Sequence, residues 1–135
     1  MQVALQNNVK KVYEPIPEGT YTVKLTKSEE KATKSGNGSY INATFEVVEG
    51  DHSGRLIFQK FLIDHPSAKA VEIGKNQLNK FLGAVGVRNG LADLEEDTTR
   101  LSEFTNKLVN AKVKIELPND PKYSAQNKIT NFSMR

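Results

Sequence analysis

One stretch decides the fold, because the hydrophobic period of the chain changes there: residues 67–85, which read SAKAVEIGKNQLNKFLGAV. Its apolar positions recur at spacings of three, four and seven and form one helical stripe, made of Val71, Leu78, Phe81, Leu82 and Val85. Ser67 is a good N-cap residue, and Gly86 is a typical residue for the end of a helix. The pattern therefore predicts one helix over 67–85.

On both sides of this helix, apolar and polar residues alternate with the period of two that is typical of half-buried strands. The alternation predicts strands over 20–27, 40–48 and 55–63 before the helix, and over 109–117 and 128–134 after it. We interpret 28–39 and 49–54 as loops, and 88–106 as an acidic linker with a short helix near 101–108. Phe45 and Phe81 fall on apolar faces, and we assign them to the core.

This order of elements predicts a mainly β protein with the OB-fold, a five-stranded Greek-key barrel with one helix between strands 3 and 4. Other small β folds with one helix also fit the pattern. The helix of such a barrel plugs one of its ends. The length of 135 residues suits one domain, which we assign to 17–135. Residues 1–16 have no strong period and form either an N-terminal arm or an extra edge strand.

The residue inventory argues against an enzyme. The chain has no cysteine, which excludes a disulfide framework, a thiolate zinc site and a cysteine nucleophile. Its two histidines leave little for a histidine-based metal site or a catalytic triad. Asp51-His52 and Asp64-His65 are adjacent pairs whose side chains point to opposite sides of an extended chain, and no third ligand has a telling spacing. The acidic run 93–97 is typical of a solvated loop. We expect no catalytic residue, no metal and no cofactor.

The net charge of +3 is unevenly distributed along the chain. Residues 107–135 carry six basic and two acidic residues, and 1–40 carry six and four, whereas 88–106 carry two and five. The basic excess falls on elements that flank the groove of an OB-fold, which indicates a basic rim able to attract a polyanion. No apolar run approaches the length of a membrane span, and we find no signal peptide, so we expect a cytoplasmic protein.

Several short stretches occur in a fixed order: IPEGTY (16–21), KSGNGSYIN (34–42), FEVVEG (45–50), GR (54–55), Pro66 with KAVEIG (69–74), and NKITNF (127–132). This ordered set resembles a family of small bacteriophage proteins, long regarded as a domain of unknown function. They are interpreted as OB-fold single-stranded DNA-binding proteins encoded beside phage replication and recombination genes. The resemblance covers about residues 15 to 133, and no single motif in it is catalytic.

The resemblance implies that the chain binds and protects single-stranded DNA without sequence specificity, in phage DNA replication and recombination within an infected bacterium. Phage or host replication and recombination proteins are further expected partners, and a homo-oligomer is compatible with the sequence. The alternative is an OB-fold adaptor that binds such proteins; a small hydrolase or nuclease has little support. Two departures matter: the chain lacks the acidic tail by which many such proteins recruit partners, and it has no tryptophan.

Binding of single strands needs cations for the phosphates and flat rings for the bases. In an OB-fold these come from strands 2 and 3 and from the flanking loops. The candidate nucleic-acid-binding residues are Lys24, Lys31, Lys34, Asn37, Tyr40, Arg55, Phe58, Lys60, Lys112, Lys114, Lys122, Tyr123 and Lys128.

Each candidate also has an ordinary structural interpretation. The loop that carries Lys34 and Asn37 fits a solvated hairpin tip equally well, and the Tyr40 ring fits cross-strand packing. The strand lysines fit plain surface positions. Either Phe58 or Phe61 faces outward, and a core position for Phe58 is slightly preferred.

Overall fold

The computed structural model describes residues 14–118 and 125–135, which form a mainly β structure. Three strands come first: β1 (Gly19–Ala32), β2 (Ser39–Val47) and β3 (Leu56–Asp64). Helix α1 (Ala68–Ala84) follows, then two 3₁₀ helices (Gly90–Leu94 and Thr98–Phe104), and finally β4 (Leu108–Glu116) and β5 (Gln126–Met134). The predicted order is confirmed, with one helix between the third and fourth strands. Ser67 caps α1 as predicted, since its Oγ accepts a hydrogen bond from the Ala70 N–H at 3.2 Å.

β1 is longer than the alternation predicts. It continues through Ala32, which pairs with Ser39 of β2, so the first part of the predicted loop over 28–39 is wrong. The register shifts between Leu25 and Lys27, as in a β-bulge, and this extra residue breaks the period of two while pairing continues. The alternation of apolar and polar residues therefore ends in the sequence before the strand itself ends.

The five strands form one sheet in the order β3-β2-β1-β4-β5, with every neighbouring pair antiparallel. The two edge strands, β3 and β5, consequently run in the same direction. Within the described residues no backbone ladder joins them, so the sheet is open, in contrast to the closed barrel that we predicted. Side chains span the gap instead: Gln59 Oε1 accepts a hydrogen bond from the Ile129 N–H at 2.9 Å, which satisfies a buried edge amide.

The core lies between the inward face of the sheet and α1. Phe45 and Phe81 are buried there as predicted, with ring centroids 5.5 Å apart. α1 approaches β3 very closely at Gly74, where a Cβ would lie 2.1 Å from the Leu62 carbonyl oxygen. Only glycine permits this approach, so α1 has one docking position against the end of β3.

The segment that precedes β1 forms hydrogen bonds with β5, an edge strand of the sheet. Ile16 is only 1% exposed, and the Asn127 amide forms hydrogen bonds with both its N–H (2.8 Å) and its carbonyl (3.0 Å). Residues 14–16 of the predicted arm thus pack on the domain, and residues 1–13 lie outside the described residues. None of the helices in the described part of the chain has both the length and the apolar character that crossing a membrane requires.

Candidate functional site

The face of β1, β2 and β3 that points away from the core carries rings and lysines in ordered rows. The pairing of the strands defines three rows: Lys31–Tyr40–Leu62, Glu29–Asn42–Lys60 and Lys27–Thr44–Phe58. Residues on neighbouring strands in such rows are close enough for their side chains to interact. The pairing of β1, β2 and β3 thus brings together four predicted candidates, namely Lys31, Tyr40, Phe58 and Lys60.

A groove of about 400 Å³ lies at one end of these rows. We call it the Tyr40 groove, and its lining residues are Ala32, Thr33, Lys34, Tyr40, Lys60 and Leu62. The Lys60 Nζ lies 5.1 Å from the centroid of the Tyr40 ring, in a cation–π contact. Tyr40 is half-buried, so its ring is held in place while part of its surface remains accessible. The groove therefore combines a fixed ring with cations.

Phe58 and Phe61 point to opposite sides of β3. Phe58 is 61% exposed on the outward face, whereas Phe61 is 1% exposed in the core. The preferred core position for Phe58 is thus wrong. Because β3 is nearly all apolar, its sequence does not show which residues face outward. One assignment of the alternating faces exposes Phe58, and the other exposes Phe61. The strand pairing shows that Phe58 faces outward, because it lies beside the outward-facing Thr44.

The loop between β1 and β2 is internally bonded. Asn37 Oδ1 accepts hydrogen bonds from the Thr33 hydroxyl, at 3.3 Å, and from the Ser35 hydroxyl. Gly38 lies against β3, and a Cβ there would lie 2.3 Å from the Asp64 carbonyl oxygen. Asn37 thus shapes the loop, while the exposed Lys34 lines the groove.

Sequence reasoning missed Lys27. A strict period of two after Val23 and Leu25 would turn Lys27 toward the core. The bulge reverses the phase, and Lys27 instead pairs with Thr44 on the outward face, with its side chain 63% exposed. The Thr26 hydroxyl donates to the Thr44 carbonyl at 3.1 Å and holds this irregular backbone. Nothing in the sequence pattern marks the bulge.

Glu29 lies between two of these lysines. Its carboxylate is 3.5 Å from the Lys27 Nζ and 4.0 Å from the Lys31 Nζ. All three side chains are solvent-exposed, and exposed ion pairs of this kind are weak. An anionic ligand could therefore replace Glu29 as the partner of both lysines at little cost.

None of the remaining strand lysines lines the Tyr40 groove. Lys24 lies one row beyond Phe58, beside Glu46. Lys112 pairs with Thr20, whereas Tyr40 pairs with Lys31, so eleven residues of β1 separate these rows, a contour of about 36 Å. Lys114 lies 4.0 Å from Glu18, and Lys128 lies 3.5 Å from Glu116. Of the predicted basic rim, Lys112 thus lies far from the Tyr40 groove along β1, whereas Lys128 is next to Ile129, whose N–H donates to Gln59 of β3.

The last three candidates lie near the start of β3 or outside the described residues. The Arg55 guanidinium donates a hydrogen bond to the Glu14 carbonyl at 2.5 Å, so it contacts the entering chain. Lys122 and Tyr123 lie outside the described residues.

The acidic and histidine-containing pairs are parts of local structure. The Asp93 carboxylate accepts hydrogen bonds from the N–H and the side-chain amide of Asn89, which lower its pKa. Hydrogen bonds from the Thr99 hydroxyl and N–H lower the pKa of Asp97. His65 Nδ1 accepts from the Ser67 N–H at 3.0 Å. The described residues contain no group of three or more His, Asp or Glu side chains that could hold a metal ion.

The fold and the groove define a class of protein: a mainly β domain whose open sheet turns an aromatic ring and several lysines toward solvent. The chain belongs to the family described as "Protein of unknown function (DUF669)", whose model matches residues 4–132. No curated protein matches the chain at a significant level. The match includes every residue of the Tyr40 groove, and the description assigns the family no function.

Proposed function

We propose that this protein binds single-stranded DNA without sequence specificity and protects it during phage DNA replication and recombination. The observation that carries the proposal is the Tyr40 groove, where a half-buried ring lies under the Lys60 ammonium and beside Lys31 and Lys34. A base can stack on the ring when the Lys60 ammonium moves from it to a flanking phosphate, and Lys31 and Lys34 can neutralise neighbouring phosphates. This combination of cations and rings, without base-specific contacts, is typical of single-strand binding.

The proposal includes an OB-fold, and the topology supports it. A five-stranded barrel with this strand order closes by bringing β3 beside β5 in parallel. The edge strands run in that relative direction, and the Gln59–Ile129 hydrogen bond spans them. α1 follows β3, as the helix of an OB-fold does. The Tyr40 groove then lies on strands 2 and 3, where OB-folds bind oligonucleotides.

The direct test is fluorescence anisotropy with labelled oligothymidine, a duplex of equal length and an RNA of equal length. We expect the single-stranded DNA to bind at low salt and the affinity to fall steeply as salt rises, because each phosphate contact releases counterions. If no oligonucleotide binds at low salt, the proposal is wrong, and the adaptor alternative becomes the better one. Loss of oligonucleotide that depends on added metal would instead support a nuclease.

A further inference from the structure

We propose a second nucleobase subsite between the start of β3 and the start of β5, an inference that rests on the proposed function. A groove of about 330 Å³ lies there, lined by Pro15, residues 54–58 and residues 125–127. We call it the seam groove, because it occupies the gap between the two edges of the open sheet. Strands joined by a ladder lie about 4.8 Å apart and would leave no such space.

The walls of the seam groove suit the chemistry of a nucleobase. Phe58 presents an exposed ring, and Leu56, 48% exposed, adds apolar surface. Gln126 is exposed at the rim, so its amide can exchange hydrogen bonds with the polar edge of a base. A volume of about 330 Å³ is at the lower end for small-ligand sites. A flat ligand with apolar faces and a polar edge fits this lining better than an aliphatic one.

The seam groove continues the Tyr40 groove along the edge strand. Lys60 lines the Tyr40 groove and Phe58 lines the seam groove, and they are neighbours on the outward face of β3, about 7 Å apart. A single-stranded DNA that stacks one base on Tyr40 and places a phosphate at Lys60 can therefore place a following base on the Phe58 ring. A hydrophobic peptide could also occupy the seam groove, but Lys60 is the outward-facing neighbour of Phe58 on β3, and Lys27 lies at the other end of the Phe58 row, beyond Thr44; these cations favour a polyanion.

Photocrosslinking with 12-nucleotide oligothymidines, each carrying one 5-iododeoxyuridine at a different position, tests this subsite on the full chain. We expect separate crosslinks to Tyr40 and to Phe58, each from its own set of positions. Phe58→Ala should lose the second crosslink and weaken binding about 5- to 150-fold. Phe58→Tyr, which keeps the ring, should bind like the wild type. Ile73→Ala removes a half-exposed apolar side chain from α1 and serves as the matched control.

The two proposals fail in different ways. If the oligonucleotide binds and crosslinks at Tyr40, but Phe58→Ala binds within twofold of wild type and no crosslink maps to 54–58 or 125–127, the subsite is wrong and the proposed function stands. If the wild type binds no oligonucleotide, the proposed function is wrong as well. Binding of a hydrophobic peptide that protects 54–58 and does not compete with oligothymidine would also overturn the subsite.

Discussion

Tyr40 is the residue on which the proposed interface depends most. Its ring faces the groove, and the Lys60 ammonium already lies over it. Tyr40→Ala should weaken oligothymidine binding by about 1–3 kcal/mol, because a stacked base loses its platform. Tyr40→Phe should bind nearly as well as wild type, since the ring remains. Anisotropy titrations of both variants at one fixed salt concentration make the comparison.

Thermal unfolding separates a loss of binding from a loss of fold. Tyr40 is half-buried on the outward face, away from the Phe45 and Phe81 core, so Tyr40→Ala should retain a cooperative transition near that of wild type. Equal affinity of Tyr40→Ala and wild type would show that the strand follows another face of the protein.

Asn127 is the residue that ties the entering chain to β5. Its amide satisfies the N–H and the carbonyl of Ile16, and its Nδ2 also lies 3.3 Å from the Lys114 carbonyl. Asn127→Ala leaves these groups unpaired beside a buried Ile16, so the free energy of unfolding should fall by about 1–3 kcal/mol. Urea denaturation measures it. Asn131→Ala, an exposed position on the same strand, is the matched control and should change little.

At the scale of the element, two glycines of α1 provide a matched pair. Alanine at an ordinary helix position is more favourable than glycine by up to about 1 kcal/mol. A methyl group at Gly83 would meet open space, with nothing within 4 Å, so Gly83→Ala should stabilise the protein. Gly74→Ala should destabilise it by about 1–3 kcal/mol, because the backbone of Leu62 must move away. We expect the melting temperature to rise for Gly83→Ala and to fall for Gly74→Ala. A rise for both variants would mean that α1 does not pack against β3 at Gly74.

The acidic linker between α1 and β4 should make stability depend on pH in the acid range. Hydrogen bonds lower the folded-state pKa of Asp97 and Asp93 from the ordinary value of 3.8. A lowered pKa contributes stability that is fully present above the unfolded-state value and is lost as the pH falls through the folded-state value. The difference in melting temperature between wild type and Asp97→Asn should therefore shrink as the pH falls from about 5 to about 2. A constant difference over this range would contradict the assignment.

At the scale of the whole molecule, periodicity predicted the strands and the helix because most of each element has one buried face. It failed where tertiary structure intervenes. The bulge in β1 turned Lys27 outward, and the apolar run of β3 concealed which Phe is exposed. The open seam could not be predicted either, because it depends on contacts between residues far apart in the chain, such as Gln59 and Ile129.

The distribution of charge in the folded molecule differs from its distribution along the sequence. By segment, the largest basic excess falls on 107–135, yet Lys112 lies far along β1 from the Tyr40 groove, and neither Lys114 nor Lys128 lines it. If Lys27, Lys31, Lys34 and Lys60 contact phosphates, the logarithm of the affinity for oligothymidine should fall with the logarithm of the salt concentration with a slope of about −3. Lys60→Ala should make that slope shallower by about 0.7, whereas Lys112→Ala should leave it unchanged. Titrations of a short oligothymidine at four salt concentrations measure both slopes. A larger change in slope for Lys112→Ala than for Lys60→Ala would show that the DNA lies along β4 and β5 instead.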